Sequence, residues 1–379
     1  MILHLIGNDP KFPKLIKQKF EAADPGQHVY VIVKATPKQP ENGGDDFIYV
    51  SAPQELARIV ESRSDWEAII INGMLARLAA FCNVLPLSLP IAYYLWGGEA
   101  YGAIMYRPDA LYATETARAV LTLSKRVKFF ASSLFGAMRR LRKECHYVAQ
   151  KIDYALFPLE EEIKFFVEQG LLPKEVQYVK GRVGSGLDMS TEIFQEDQCG
   201  EGILVGNSAD PSNNHLDAFR WLHQQPFTSG RRVVVPLNYG GNEKYKQVVL
   251  AAGKEYFGEL FYPILDFMQY NAYISLLKSC DVVVMNHLRQ QGLGNIFMAL
   301  AFGTTVYLQS STTVSKELSK QGFAFMEISV HSVICGDGNS GLIDQCQRRE
   351  NMDLCRTLFR AGMSINETRE ILEKLRGIN

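Results

Sequence analysis

The chain has 379 residues, 47% of them hydrophobic, and a formal net charge of −1, enough for two domains of common size. The near-zero charge gives nucleic acid no global electrostatic hold, so no nucleic-acid partner is expected. Seven cysteines are scattered without a CxxC pair, which points to reduced thiols in a cytoplasmic protein and against a zinc site.

In chain order, the opening MILHLIGND lacks the basic start of a signal peptide and reads as a strand over 2–7. A helix is expected over 12–22, then strands at 28–33 and 47–50 on either side of a Pro/Gly-rich loop, 37–46. A helix over 52–63 would be capped by Ser51. A strand at 68–71, a helix at 74–83 and a strand at 91–95 complete a regular alternation, the mark of a parallel sheet covered on both faces.

The stretch 124–151 breaks this pattern. Eight Lys/Arg and no acidic residue fall between Arg118 and Lys143, interleaved with Val127, Phe129, Phe130, Leu134, Phe135, Met138 and Leu141. A basic helix with an apolar face suits the inner face of the cytoplasmic membrane, although a core helix with a basic outer side has the same spacing. No apolar run reaches the roughly 18 residues of a spanning helix. A strand at 153–157, a helix at 160–169 and a strand at 176–179 follow.

The Gly-rich stretch 181–200 is the expected boundary, giving domains of 1–187 and 188–379, with the last helix able to pack back on the first. Beyond it the alternation resumes. Strands are expected at 203–205, 232–236, 281–285, 304–308 and 325–328. Helices are expected at 216–223, 243–256, 271–279, 295–302, 352–361 and 366–376. The expected fold is therefore α/β, with two Rossmann-like domains facing a cleft, where ligands commonly bind.

Three stretches stand out chemically. In the first, the apolar run 203–205 ends at Gly206-Asn207-Ser208 and a helix start. That geometry holds anions, because free N–H groups and the helix dipole converge there, but an ordinary βα turn looks alike. The second, NHLRQQGLGN (286–295), follows an apolar strand and precedes the helix IFMALAF. Gln290, Gln291, Gly292, Gly294 and Asn295 would then lie at the carboxyl edge of the sheet, and with the first loop could hold a diphosphate. The third is WGGEAY (96–101), where Glu99 could take a proton from an attacking hydroxyl. No GxGxxG follows the first strand, and neither a Walker A motif nor a GxSxG elbow occurs. The histidines show no metal-ligand spacing, so no metal and no cofactor are expected. His4, within a strand, could point into the cleft but reads more readily as a core histidine; with Asp9 it is the next candidate base after Glu99.

HLIGND (4–9), WGGEAY (96–101), ILVGNSADPSNNH (203–215), VVVPLNYGGNEKY (233–245), NAYISLLKSCD (271–281) and RQQGLGN (289–295) together resemble the enterobacterial common antigen 4-acetamido-4,6-dideoxygalactose transferase family. These are bacterial glycosyltransferases of the glycosyltransferase-B type that use a dTDP-sugar and a polyprenyl-diphosphate-linked acceptor. The resemblance implies that Gly206, Asn207, Ser208 and the Gln290–Asn295 loop hold the nucleotide diphosphate. It places Tyr239 and Leu265–Phe267 near the base and ribose, and Glu99 where the family has an aspartate. Asn72-Gly73 departs from the family's His-Gly, and the tail after Val330 matches poorly.

The expectation is a cytoplasmic glycosyltransferase, peripheral on the inner membrane. It would move a sugar from a nucleoside-diphosphate donor, dTDP or UDP, to a lipid-linked or surface-glycan acceptor. The alternatives are a nucleotide-sugar epimerase, which would use the same cleft and loops, and a non-catalytic polysaccharide-assembly scaffold, which would bind no nucleoside diphosphate.

Overall fold

The computed structural model describes residues 1–8, 12–34, 47–73, 75–86, 88–95, 101, 111–121, 137–181, 200–328, 341–360 and 363–377. The chain divides into two compact units. The first comprises Met1–Tyr106, Phe129–Asp188 and Ala361–Asn379, and the second Arg107–Lys128 and Met189–Arg360. Residues 107–128 and 361–379 therefore each belong to a unit on the other side of a single cut at 187/188. Among the described residues no helix is long and apolar enough to cross a membrane.

In the first unit the described strands are β1 (Ile2–Gly7), β2 (His28–Val33), β3 (Phe47–Val50), β4 (Ala68–Asn72), β5 (Ile91–Tyr94), β6 (Tyr154–Phe157) and β7 (Gln177–Lys180). They form one sheet in the order β3-β2-β1-β4-β5-β6-β7, parallel at every pairing. Ile2, Leu3, Leu5 and Ile6 are almost fully buried, which is why β1 is apolar at consecutive positions and does not alternate. Helices α1 (Phe12–Ala23), α2 (Pro53–Glu61), α3 (Leu75–Cys82), α5 (Ala137–Ala149), α6 (Glu160–Glu168) and α13 (Met363–Leu375) belong to this unit, and α4 (Thr114–Val120) belongs to the second.

Ser51 does not cap α2. The N-cap is Ala52, and the Glu55 carboxylate accepts from the backbone N–H of Ser51 at 2.6 Å and of Ala52 at 3.4 Å. The basic stretch is described only from Ala137 onward, as α5. On that helix Cys145, Val148 and Ala149 are buried and Tyr147 is exposed. The C-terminal helix α13 buries Ile371, Leu372 and Leu375 in a cluster with Ile2, Ile16 and Phe20. Arg376 then donates to Glu67 and Asp24 at 2.7 and 2.6 Å.

The second unit holds β8 (Gly202–Val205), β9 (Val233–Pro236), β10 (Phe261–Ile264), β11 (Cys280–Met285), β12 (Thr305–Leu308) and β13 (Met326–Glu327). Their order is β10-β9-β8-β11-β12-β13, again parallel. No strand is expected from the sequence at β10, which contains Pro263. Pro removes a ladder donor, and β10 tolerates it as the edge strand of the sheet. The helices are α7 (His215–His223), α8 (Glu243–Phe257), α9 (Tyr270–Lys278), α10 (Leu293–Ala301), α11 (Thr313–Lys320) and α12 (Gln345–Leu358). Helix α12 starts seven residues before the expected 352, at an Asp344/Gln347 capping box.

In both sheets the order reverses direction between the first and fourth strands of the unit. Chain connections leave to opposite sides there, and a crevice opens at the carboxyl edge. In the second unit this switch point lies between β8 and β11.

Candidate functional site

The two loops singled out in the second unit leave the carboxyl ends of the two strands that flank the switch point. Gly206 continues β8, its N–H donating to Val284 O at 2.9 Å. It then turns with φ +70°. A Cβ there would lie 2.7 Å from Asn213 Oδ1 and 3.0 Å from His215 Nε2, so the position requires glycine.

The next N–H is not free, contrary to the expected cradle. Asn207 N–H donates inward to Asn213 Oδ1 at 2.8 Å. The Asn213 amide in turn donates to Ser208 Oγ at 3.1 Å and to Asp210 O at 3.0 Å. Helix α7 is also preceded by a 3-10 turn, Pro211–Asn213, which the Asp210 side chain caps by accepting from Ser212 N–H at 2.9 Å. That carboxylate occupies the start of the turn, while α7 itself has Asn214 as its N-cap and no side-chain cap. The first loop therefore offers the half-buried Asn207 side chain more than a nest of backbone donors, while Ser208 is buried with its hydroxyl accepting from Asn213.

The second loop is built differently. Gly292 is the N-cap of α10, with φ +67°, and α10 has no side-chain cap. The helix opens at Leu293, so Gly294 and Asn295 lie inside its first turn and not in the loop before it. The N–H groups of Leu293, Gly294 and Asn295 have no acceptor within the helix, and the helix dipole adds partial positive charge beside them. A Cβ on Gly292 would lie 3.4 Å from both Asn207 Cγ and His287 Cε1, so the two loops touch here.

A chain of hydrogen bonds ties the loops together. Tyr239 OH accepts from Asn207 Nδ2 at 3.2 Å, and Asn207 Oδ1 accepts from Gln291 Nε2 at 3.2 Å. Gln291 Oε1 lies 2.5 Å from Ser212 Oγ, which accepts from Arg289 Nη2 at 3.2 Å. Arg289 also donates to Gln290 O at 2.9 Å, while the Gln290 side chain is buried. Tyr239 is held by a tight turn whose Gly241 has φ +64°, and a Cβ there would fall 2.0 Å from Ala209 O.

Underneath lies a buried pair that the spacing did not reveal. His287 Nε2 is 2.9 Å from Asn213 Oδ1. An amide oxygen only accepts, so the imidazole proton sits on Nε2. Burial, helped by Arg289 and His215, pushes the His287 pKa down to about 3, and the ring is neutral at pH 7. His215, buried beside Gly206, is likewise pushed down to about 3, chiefly by burial. The sequence signal was present: Asn213 and His215 lie in ILVGNSADPSNNH, and His287 opens NHLRQQGLGN. What spacing lacked was the pairing across 74 residues.

Of the expected site residues, the structure brings together Gly206, Asn207, Ser208, Tyr239, Gln291 and Gly292, with Gln290, Gly294 and Asn295 in the same loop and helix start. It does not join Phe267 to this network. Phe267 is 82% exposed, with Leu265 and Tyr270 also exposed, on the segment after β10. Glu99 lies outside the described residues, as does Asp9. His4 is fully buried, its Nε2 3.0 Å from His28 Nδ1 within the core of the first unit. Among the described residues no group of three His, Cys, Asp or Glu could hold a metal ion.

Comparison with known proteins places this architecture. The family described as 4-alpha-L-fucosyltransferase, glycosyl transferase group 56, matches residues 123–344, more than half of the chain. Among solved structures, sucrose-phosphate synthase from Thermosynechococcus elongatus is 10% identical with a TM-score of 0.64, covering 100% of both chains. An E. coli trehalose-6-phosphate structure bound with UDP-2-fluoro glucose is 11% identical with a TM-score of 0.62, again covering 100% of both chains. WaaG, a glycosyltransferase involved in lipopolysaccharide biosynthesis, is 9% identical with a TM-score of 0.58 and the same full coverage. At these identities the likeness is one of fold, two Rossmann-like units of the glycosyltransferase-B type.

Proposed function

The chain belongs to the 4-alpha-L-fucosyltransferase family, glycosyl transferase group 56, and is a nucleotide-sugar glycosyltransferase; from that premise we propose that the donor diphosphate binds where the two loops of the second unit meet. The observation that carries this reading is the uncapped N-terminus of α10 beside Arg289, at the switch point, joined to Tyr239 through Gln291 and Asn207. The first-turn N–H groups of α10 and the Arg289 guanidinium face the charge that grows on the leaving diphosphate as the glycosidic bond breaks. Asn207 supplies a side-chain contact, and Tyr239 lies toward the base and ribose, with the exposed Phe267 available to stack on the base.

The proposed donor base is thymine or uracil. The UDP-2-fluoro glucose bound by the E. coli fold neighbour is consistent with this class. The proposed sugar is 4-acetamido-4,6-dideoxygalactose or a related hexose, and the acceptor a polyprenyl-diphosphate-linked or other glycan on the inner face of the membrane, which the basic stretch 124–151 would engage. The acceptor hydroxyl attacks the anomeric carbon, and Glu99 is proposed as the base that takes its proton. The proposal needs no metal, because helix dipole and guanidinium offset the leaving charge.

A melting-temperature panel with dTDP, UDP, GDP and CMP tests the donor site directly, since a ligand that binds only the folded state raises the midpoint. dTDP or UDP should raise it, and Asn207→Ala should reduce the shift. If none of the four raises it, the assignment of these loops to the nucleotide is wrong.

A further inference from the structure

The second unit also contains a cavity of about 640 Å³ whose lining takes Asn286 and Leu288 from the start of the second loop but none of the groups assigned above to the diphosphate. Such a volume is in the range of small-molecule sites. Its wall includes Trp221, Leu288 and Ile328. Trp221 is 5% exposed, and its ring lies against Phe227 and Tyr307. Its indole N–H is buried with no hydrogen-bond partner. A donor-only group left unmatched in the interior carries a desolvation cost.

The polar part of the lining is balanced in charge. Glu115, Arg118, Asp217 and Arg220 all line it. Arg118 and Arg220 both donate to the same Glu115 carboxylate oxygen, at 3.0 and 2.5 Å. Asp217 is occupied as the cap of α4: its two oxygens accept from the N–H groups of Glu115 and Thr116 at 2.8 and 2.9 Å. Two cations and two carboxylates leave no net field to select an ion, and an incoming anion would have to displace Glu115 from both guanidinium groups. Gln224 and Gln309 add amide side chains to the lining. Charged and amide side chains together with Trp221, Leu288 and Ile328 match a ligand that carries many hydroxyls on an apolar ring.

We propose that this cavity binds a neutral saccharide, with room for a mono- or disaccharide, as a subsite separate from the nucleotide-sugar donor. The proposal extends the glycosyltransferase reading, in which a glycan acceptor or product supplies such a sugar, but it does not depend on the diphosphate assignment.

Saturation-transfer NMR on the full chain tests it, with glucose, galactose, N-acetylglucosamine, cellobiose and lactose as probes. At least one should give a signal that persists when dTDP and UDP are added in excess. Arg220→Ala, on the exposed side of α7, and Gln224→Ala, at the exposed residue that ends it, should weaken that binding about tenfold, the weight of one hydrogen bond to a charged or polar group. Their melting temperatures and circular dichroism should match the parent chain. No signal from any probe, displacement of the sugar by nucleotide, or undiminished binding in both variants would overturn the proposal. The nucleotide panel reads out separately: sugar binding in the absence of any nucleotide shift would sink the donor-site reading and leave this one standing.

Discussion

Asn213 is the residue on which the geometry of the first loop depends, and Asn213→Ala exposes its weight. Asn213 is fully buried. Its Oδ1 accepts from Asn207 N–H at 2.8 Å and from His287 Nε2 at 2.9 Å, and its Nδ2 donates to Ser208 Oγ and Asp210 O. Alanine removes all four contacts. A buried donor left without a partner costs about 1–3 kcal/mol. His287 is 4% exposed and water does not reach it easily, so the full cost is expected there. Asn207 is half-buried, and solvent recovers part of its loss. The sum is about 2–4 kcal/mol, a large share of the 5–15 kcal/mol that holds a typical domain together. For a unit of this size that corresponds to a fall of roughly 5–15 °C in melting temperature. Urea unfolding followed by circular dichroism measures it, and a dTDP or UDP titration of the same variant reads the loop geometry. Asn213→Asp, which keeps an acceptor but turns an oxygen toward Asp210 O, should fall between the two. An Asn213→Ala protein within about 0.5 kcal/mol of the parent, with unchanged nucleotide affinity, would refute the reasoning.

Four further outcomes can be measured. His4, His215 and His287 are buried with pKa values lowered chiefly by burial, the last two to about 3, whereas an unfolded histidine titrates near 6.5; the unfolded chain therefore binds protons that the folded one does not, and stability should fall as pH drops from about 6.5 toward 3, by up to about 1.4 kcal/mol per pH unit for each histidine, which urea midpoints across that range would show. Gly292→Ala places a Cβ at φ +67°, 3.4 Å from Asn207 and His287; backbone strain of about 1–2 kcal/mol should lower the melting temperature and weaken nucleotide binding, and an unchanged titration would remove this turn from the site. Glu99→Gln should retain nucleotide binding while transfer falls roughly 10²–10⁴-fold in a sugar-transfer assay; near-normal transfer would send the search for the base elsewhere. Removing 363–379 exposes the surface that Ile371, Leu372 and Leu375 cover; at about 1.5–3 kcal/mol per buried side chain the first unit should lose most of its cooperative unfolding transition, whereas Arg376→Ala, at a half-exposed ion pair, should cost about 1 kcal/mol or less.

The sequence by itself determined the elements whose cause is local. The runs around Ile2–Ile6 and Val282–Met285 are apolar at consecutive positions because parallel strands are covered on both faces, and that pattern is visible without coordinates. Gly206 and Gly292 marked the ends of β8 and the start of α10 because only glycine turns there at no steric cost. Alternation of strand and helix was enough to place both loops at the carboxyl edge of one sheet. Tertiary structure decided what depends on partners far away in the chain. Helix α4 has no cap of its own and starts where Asp217 and Asn214, about a hundred residues later, accept its N–H groups. Strand β10 tolerates Pro263 only because the sheet ends there. Helix α13 joins the first unit because its apolar stripe fits against Ile2, Ile16 and Phe20, a match that its own periodicity does not encode. Asn213 turns the Asn207 N–H inward because His287 closes the other side of the same oxygen. Spacing can position a turn, but which way its hydrogen bonds point is set by the side chains that fold against it.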